Sequence, residues 1–374
     1  MKITISLLSQ WWDRHFYSVY EKPDRVSDDE LERVYLQRMK FLYSHYAEFG
    51  LGEEDPKPDP AWLGIIMKWC VDFIPFLLGT PMYCIPTGYW QAMPQKKEEI
   101  KKLEPVDIRN TSMGEWVLRR KKTLENKYGS AQIAQLVEGS VNAAVRIQGE
   151  EFYCELIQDP PFVRNLLDVI TETVIKTYEF FADHFDLQEV FLANCSNAHI
   201  GPSLYEEYGL DNDIRIAGAA KKLIPSERFV YFHHCDGISD AFIDLYAQVP
   251  HISKIDSSYK ADLGRLRRAF PDSCLSIFFN PKWVMLTRDE RRKTILDSIL
   301  AGMDEMILAN LDPTASPEAL KVVFEDIRAA CGEAGAVPEF SIVPFSEDEY
   351  DWSTPVYQGS GIFRITDPSC LLIP

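Results

Sequence analysis

Phe229-Val230-Tyr231-Phe232-His233-His234-Cys235-Asp236-Gly237 is the stretch on which the fold turns. A β-prone run enters three potential metal ligands and closes on an Asp-Gly turn signal, the pattern of a buried strand with chemistry at its C-terminal end. Side chains of a strand alternate between its faces, so His233 and Cys235 are expected on one side and His234 on the other. A His-x-Cys pair sets an imidazole and a thiolate about 7 Å apart by Cα, within reach of one ion. The same residues equally suit a strand end that buries a satisfied histidine and a small apolar cysteine, because two ligands do not make a zinc site.

Outward from this stretch, strand and helix patterns alternate. Before it come a strand at 189–194 and helical patterns at 161–185 and 202–208, the longer with Val163, Leu166, Leu167, Ile170, Val174, Tyr178 and Phe181 on one face. After it come strands at 251–257, 275–279 and 305–309. The helices between and after them are expected at 238–248, 261–270, 287–301 and 316–330, the third capped by Thr287 with Glu290 and the last entered through Ser316-Pro317. Residues 133–147 read as a further strand, which carries Arg146. Such alternation means parallel βαβ units, in an open sheet or a closed barrel. No glycine-rich phosphate loop follows a strand, which counts against a nucleotide-binding open sheet. Asn194 and Cys195, His233 and Cys235, Asp256, Asn280, and Asn310 with Asp312 all fall at C-terminal strand ends, the rim where barrel active sites assemble. The expectation is an α/β fold, a (β/α)8 TIM barrel.

The chain is expected to be a single domain over residues 1–374. Residues 1–130 form a helical, aromatic N-terminal segment that packs on the barrel, 131–335 most of the barrel, and 336–374 a C-terminal tail; no Gly/Ser linker separates them. Its 39 Lys and Arg stand against 57 Asp and Glu, a net charge of −18, which speaks against nucleic acid and anionic membrane surfaces as partners. The apolar patch at 62–78 is interrupted by Lys68, Asp72 and Pro75 and does not read as a membrane span. Eight scattered cysteines without a CxxC, and a start with no apolar leader, point to reduced thiols in the cytoplasm.

Several weak motifs follow one another in a telling order. Gly149-Glu150-Glu151-Phe152 leads to Asp159-Pro160-Pro161-Phe162-Val163. Ile200-Gly201-Pro202-Ser203-Leu204-Tyr205-Glu206-Glu207-Tyr208 comes next, then the His-x-Cys strand end, and then Phe279-Asn280-Pro281 before a helix. Over roughly residues 134–330 this series resembles the uroporphyrinogen decarboxylase superfamily, which implies a TIM barrel behind an N-terminal helical segment. The arginine-rich N-terminal grip of the decarboxylases themselves is absent; Trp11-Trp12-Asp13-Arg14-His15 stands there instead. The resemblance is closer to the corrinoid-dependent methyltransferases, in which a His-x-Cys pair and a later cysteine hold zinc. The zinc activates a thiol that takes a methyl group from a methyl-corrinoid protein. His233 and Cys235 match the first two ligand positions.

The third ligand is missing, since no cysteine lies between residues 275 and 330. Asp312 with an oxygen, Cys195 with a sulfur, or a degenerate site are the three accounts. Asp312 also suits a turn before Pro313, and Cys195 a buried structural thiol. The first expectation for function is methyl transfer between a corrinoid partner protein and a small molecule. The alternative is a lyase or decarboxylase acting on a small carboxylate or tetrapyrrole, with Arg146 as clamp, Asp256 or Asp312 managing protons and Asn194 at the rim. A non-catalytic corrinoid-binding scaffold is the third reading.

Overall fold

The computed structural model describes residues 1–7, 11–12, 28–65, 73–84, 90–133, 139–187, 189–224, 229–234, 239–279, 281–311 and 315–343. The strands are β1 (Lys2–Leu7), β2 (Met82–Cys84), β3 (Trp90–Ala92), β4 (Glu189–Ala193), β5 (Phe229–His234), β6 (Ile252–Ser258), β7 (Cys274–Phe279), β8 (Glu305–Leu311) and β9 (Glu339–Val343). The helices used below are α1 (Asp28–Tyr46), α2 (Ser140–Gln148), α3 (Pro160–His184), α4 (Asn197–Leu204), α5 (Leu210–Leu223), α6 (Ile243–Tyr246), α7 (Arg288–Leu300) and α8 (Pro317–Glu333). Seven strands form one sheet in the order β4-β5-β6-β7-β8-β1-β9, while β2 and β3 pair as a separate antiparallel ribbon. The pairings β4–β5, β6–β7, β7–β8, β8–β1 and β1–β9 are parallel. The chain divides into two compact units, residues 1–63 with 254–343, and residues 64–234 with 241–253.

In the first unit, strand alternation sorts the sheet into two chemically distinct faces. Ile3, Ile5 and Leu7 of β1, Ile255 of β6, Leu275, Ile277 and Phe279 of β7, Met306 and Leu308 of β8, and Phe340 and Ile342 of β9 are buried. The register places them side by side. Helices cover this face: the ring of Phe324 on α8 lies 5.7 Å from that of Phe340. The opposite face carries Lys2, Thr4, Lys254, Asp256, Ser258, Ser276 and Glu305 beside Cys274, Phe278 and Ile307, so it is polar in the main, with Lys254 Nζ 2.5 Å from Glu305. A sheet covered by helices on both sides would be apolar on both, so this polar face is the one available for chemistry. Trp11 and Trp12 are fully buried, edge to face with each other and with Phe41 of α1. The Arg38 guanidinium lies 4.5 Å over the Trp12 ring.

In the second unit β4 and β5 pair from Glu189 opposite Phe229 to Ala193 opposite His233. The long helix α3 packs by the expected stripe, with Val163, Leu166, Leu167, Ile170, Val174, Tyr178 and Phe181 all buried. Asp159 caps it by accepting the Phe162 N–H, and the Tyr178 hydroxyl donates to the carbonyl of Phe191 on β4 at 2.9 Å.

Three expectations need correction. Residues 140–148 are helix α2, so Arg146 is helical and half-buried. The run Val141-Asn142-Ala143-Ala144-Val145 is too short for its period to decide, and the alanines favour a helix, closed here at Gly149. The N-terminal segment is not all helical, because β1 is a strand held between β8 and β9. Nor is β8 the last strand: Glu339–Val343, read as tail, is β9.

Candidate functional site

The end of β5 behaves as alternation requires. Phe232 and His234 are buried on one face, where Phe232 packs against Tyr246 of α6 with ring centroids 4.5 Å apart. His234 Nδ1 hydrogen-bonds the Tyr246 hydroxyl, and its ring also packs on Phe242 at 5.3 Å. That bond and those rings aim His234 into the helix layer. His233 is on the other face and half-buried, its ring 5.4 Å from that of Phe191 on β4. Cys235, the second of the pair, lies outside the described residues, as do Asn280 and Asp312.

The segment leaving β4 is built by close backbone approach. Gly139 N donates to the carbonyl of Ala193 at 2.8 Å, and Asn194 N to that of His233 at 2.8 Å. A Cβ on Gly139 would stand 2.0 Å from Asn194 Oδ1, so a glycine there is what lets Asn194 sit. The Ser196 amide donates to Asn142 Oδ1 at 2.7 Å. Asn194 itself is 1% exposed, so its amide meets the interior and not the rim solvent. Cys195 is half-buried, and it lies close enough to the Tyr246 hydroxyl to bear on its ionisation, which puts the thiol in the region of the His234–Tyr246 pair.

Around Asn194 lies a buried polar group that motif reading missed. The Tyr205 hydroxyl donates to Asp213 Oδ2 at 2.7 Å, and the Asn197 amide reaches the Tyr246 hydroxyl at 3.4 Å. The rings of Tyr205 and Tyr246 meet edge to face at 5.3 Å. Burial drives the Asp213 carboxyl up to about 7, against the smaller opposing pull of Tyr205 and Asn194. The tyrosine hydroxyls are also pushed well above their ordinary range, burial being the main cause. One signal for Asp213 was present in the sequence. On α5 it falls in step with Leu210, Ile216, Ala217 and Ala220, all buried, so it is an acid set in an apolar stripe.

Other polar side chains have their own surroundings. Asp256 is buried on the polar face of the first unit, opposite Ser276 in the register. Arg146 on α2 lies close enough to Tyr153 to lower that hydroxyl's pKa, although burial and Glu150 raise it on balance. His199 is exposed, its ring 5.9 Å from that of Tyr153. The lyase reading thus has no strand-borne arginine clamp at residue 146. Among the described residues no three His, Cys, Asp or Glu side chains come together as a metal site. Among the same residues no helix is long and apolar enough to cross a membrane.

No family model matches the sequence, and no curated protein sequence matches it. Solved structures do match. A methyltransferase from Methanosarcina mazei is 14% identical and superposes with a TM-score of 0.57, over 88% of this chain and 92% of that one. A protein from Listeria monocytogenes, solved under the name of a vitamin-B12-independent methionine synthase, is 13% identical with a TM-score of 0.46, over 88% and 95%. At such identity the likeness to the Methanosarcina mazei enzyme is one of fold, and it agrees with the parallel strand order. The chain has an α/β fold of the (β/α)8 class.

Proposed function

We propose that this protein is a methyl-transfer enzyme whose chemistry is carried at the C-terminal end of β5. The observation that carries the proposal is the shared fold, over 88% of the chain, with a methyltransferase. Active sites of this fold sit at C-terminal strand ends, and His233 is the imidazole there that is turned away from the helix layer. The proposed reaction moves a methyl group between a corrinoid partner protein and a small thiol. His233 and Cys235 would hold a zinc ion, with Asp312 as the oxygen ligand that completes the set. Histidine, thiolate and carboxylate form a donor set that suits zinc. Zinc held there would lower the pKa of an acceptor thiol and so supply the thiolate at neutral pH. The chain's own part is orientation. Phe191 flanks the His233 ring, and Tyr246 fixes His234 away from the pair.

Metal analysis of the purified chain, combined with consumption of methylcobalamin in the presence of 2-mercaptoethanol, tests the proposal. Close to one zinc per chain is expected, lost in His233→Ala and Cys235→Ser together with thiol methylation, and retained in His234→Ala. Zinc retained but lowered in Asp312→Ala would name the third ligand. A chain that cannot be loaded with zinc, or that never consumes methylcobalamin with the thiol present, would overturn the proposal and favour a scaffold role.

A further inference from the structure

Behind the strand ends of β4 and β5 a carboxyl group is buried with no cation to answer it among the described residues. Asp213 is 1% exposed, and the groups acting on its ionisation beyond burial are the neutral Tyr205 and Asn194. Asp213 Oδ1, both amide atoms of Asn194 and Asn197 Oδ1 are buried without a well-aligned protein partner. The Tyr246 hydroxyl of α6 is within electrostatic reach of the carboxyl and of Cys195, and is hydrogen-bonded to His234 of β5. From α3, Thr171 is engaged with Asn212. Arg215 of α5, the guanidinium nearest in sequence, is committed to Asp168 and Glu172 of α3 at 2.6 Å each.

The chain leading from β4 to this carboxyl has a joint in it. Gly201 inside α4 holds φ 77° and ψ 167°, a conformation open in practice only to glycine, and Pro202 follows. Residues 205–209 then form a π-turn, the kind of irregularity that marks functional helices. A Cβ on Gly209 would come 2.6 Å from the Tyr205 ring, so the turn is shaped around that ring. Three side-chain bonds tie the segment down. They are Asn142 to the Ser196 amide, Asn197 to Tyr246, and Tyr205 to Asp213, the last of which ends on the unanswered carboxyl.

We propose that Asp213 is the positioning residue of the segment from Asn194 to Tyr205, and that it holds this segment as the neutral acid and releases it on losing its proton. Protonated, the carboxyl can be buried and receive the Tyr205 hydroxyl at little cost. Ionised, it carries a charge that burial opposes and that no cation among the described residues offsets, so opening toward water is favoured. Gly201 supplies the place to bend. The sign follows from a closed-state pKa raised to about 7 from 3.8. Closure is strongest below the open-state pKa, weakens as pH rises, and levels off above the closed-state value.

The inference stands apart from methyl transfer, and its test reads no activity. Hydrogen–deuterium exchange of the intact chain is followed by mass spectrometry over residues 194–213 from pH 5 to pH 9, corrected for intrinsic exchange. Protection should fall by up to about tenfold per pH unit on approach to pH ~7 and then level off. Asp213→Asn should remove this slope, since its amide has no proton to lose in that range. Tyr205→Phe removes a bond that favours the anion and should move the levelling point to higher pH. A flat wild type, or an unchanged slope in Asp213→Asn, would overturn the proposal. If Asp213→Asn does not fold, a levelling point unmoved in Tyr205→Phe overturns it instead.

Discussion

Replacing Asp326 by alanine should destabilise the protein by about 3–5 kcal/mol, nearly all of it through one of the three arginines that meet there. Asp326 on α8 is fully buried and accepts from Arg288 Nε at 2.8 Å, Arg292 Nε at 3.0 Å, and Arg291 at 3.0 and 2.6 Å, all three on α7. Burial alone would push this carboxyl up, but the bonds from Arg288 and Arg291 outweigh it and leave it below the usual range. The three partners are not equivalent. The side chains of Arg288 and Arg292 are 47% and 37% exposed, so water can take over their charges, and each contact is worth about 0–1 kcal/mol. Arg291 is 9% exposed, and without the carboxylate its remaining partners among the described residues are the carbonyls of Val284 and Leu286. A buried charge stripped of its counter-ion accounts for the large figure. Urea unfolding at pH 7 measures it, read as a shift of midpoint at constant slope. Arg292→Ala should cost under about 1 kcal/mol, and the double variant Arg291→Met, Asp326→Leu should recover most of the loss, because an apolar pair can replace a buried ion pair. Equal costs for Arg292→Ala and Arg291→Ala would refute the reasoning. Because the Asp326 pKa is lowered in the fold, its contribution is present above the ordinary carboxylate range and is lost as pH falls through the folded value.

Two further outcomes follow from geometry. Gly209→Ala sets a methyl group 2.6 Å from the Tyr205 ring and 3.1 Å from Val141, so a loss of about 1–3 kcal/mol is expected in thermal or urea unfolding, and a neutral result would mean that the π-turn is not shaped by that ring. Thr287→Ala removes the cap of α7, where Thr287 and Glu290 bond each other's backbone amides, and should cost about 1 kcal/mol by the same measurement.

Local chemistry was the legible part of this chain. The Thr287–Glu290 box, the Ser316-Pro317 entry and the stripe of α3 each follow from residues within a turn or two of one another. The His233/His234 split needed only the two-residue period of a strand. Arg146 was misplaced because a short apolar run has no period long enough to tell strand from helix. β1 and β9 do alternate, but what makes them part of the sheet is pairing between residues more than 330 positions apart, as in Lys2 with Glu339. Asp213 was hidden for a related reason: its partners Tyr205 and Asn194 meet it through a π-turn and a strand end, which spacing does not reveal.

The place of β1 also bears on how the protein is made. The strand leaves the ribosome about 300 residues ahead of both its neighbours, β8 and β9, which come from residues 305–343. Met1 N donates to Val337 O, and the Met1 carbonyl receives the Glu339 amide, so this end of β1 waits for the segment that enters β9. At about 5–20 residues per second, an unpaired strand edge stays open for roughly 15–70 s of translation. Such an edge is a site for pairing with other nascent chains, so holdase chaperones should matter for yield, and chains stopped before residue 339 should accumulate in aggregates.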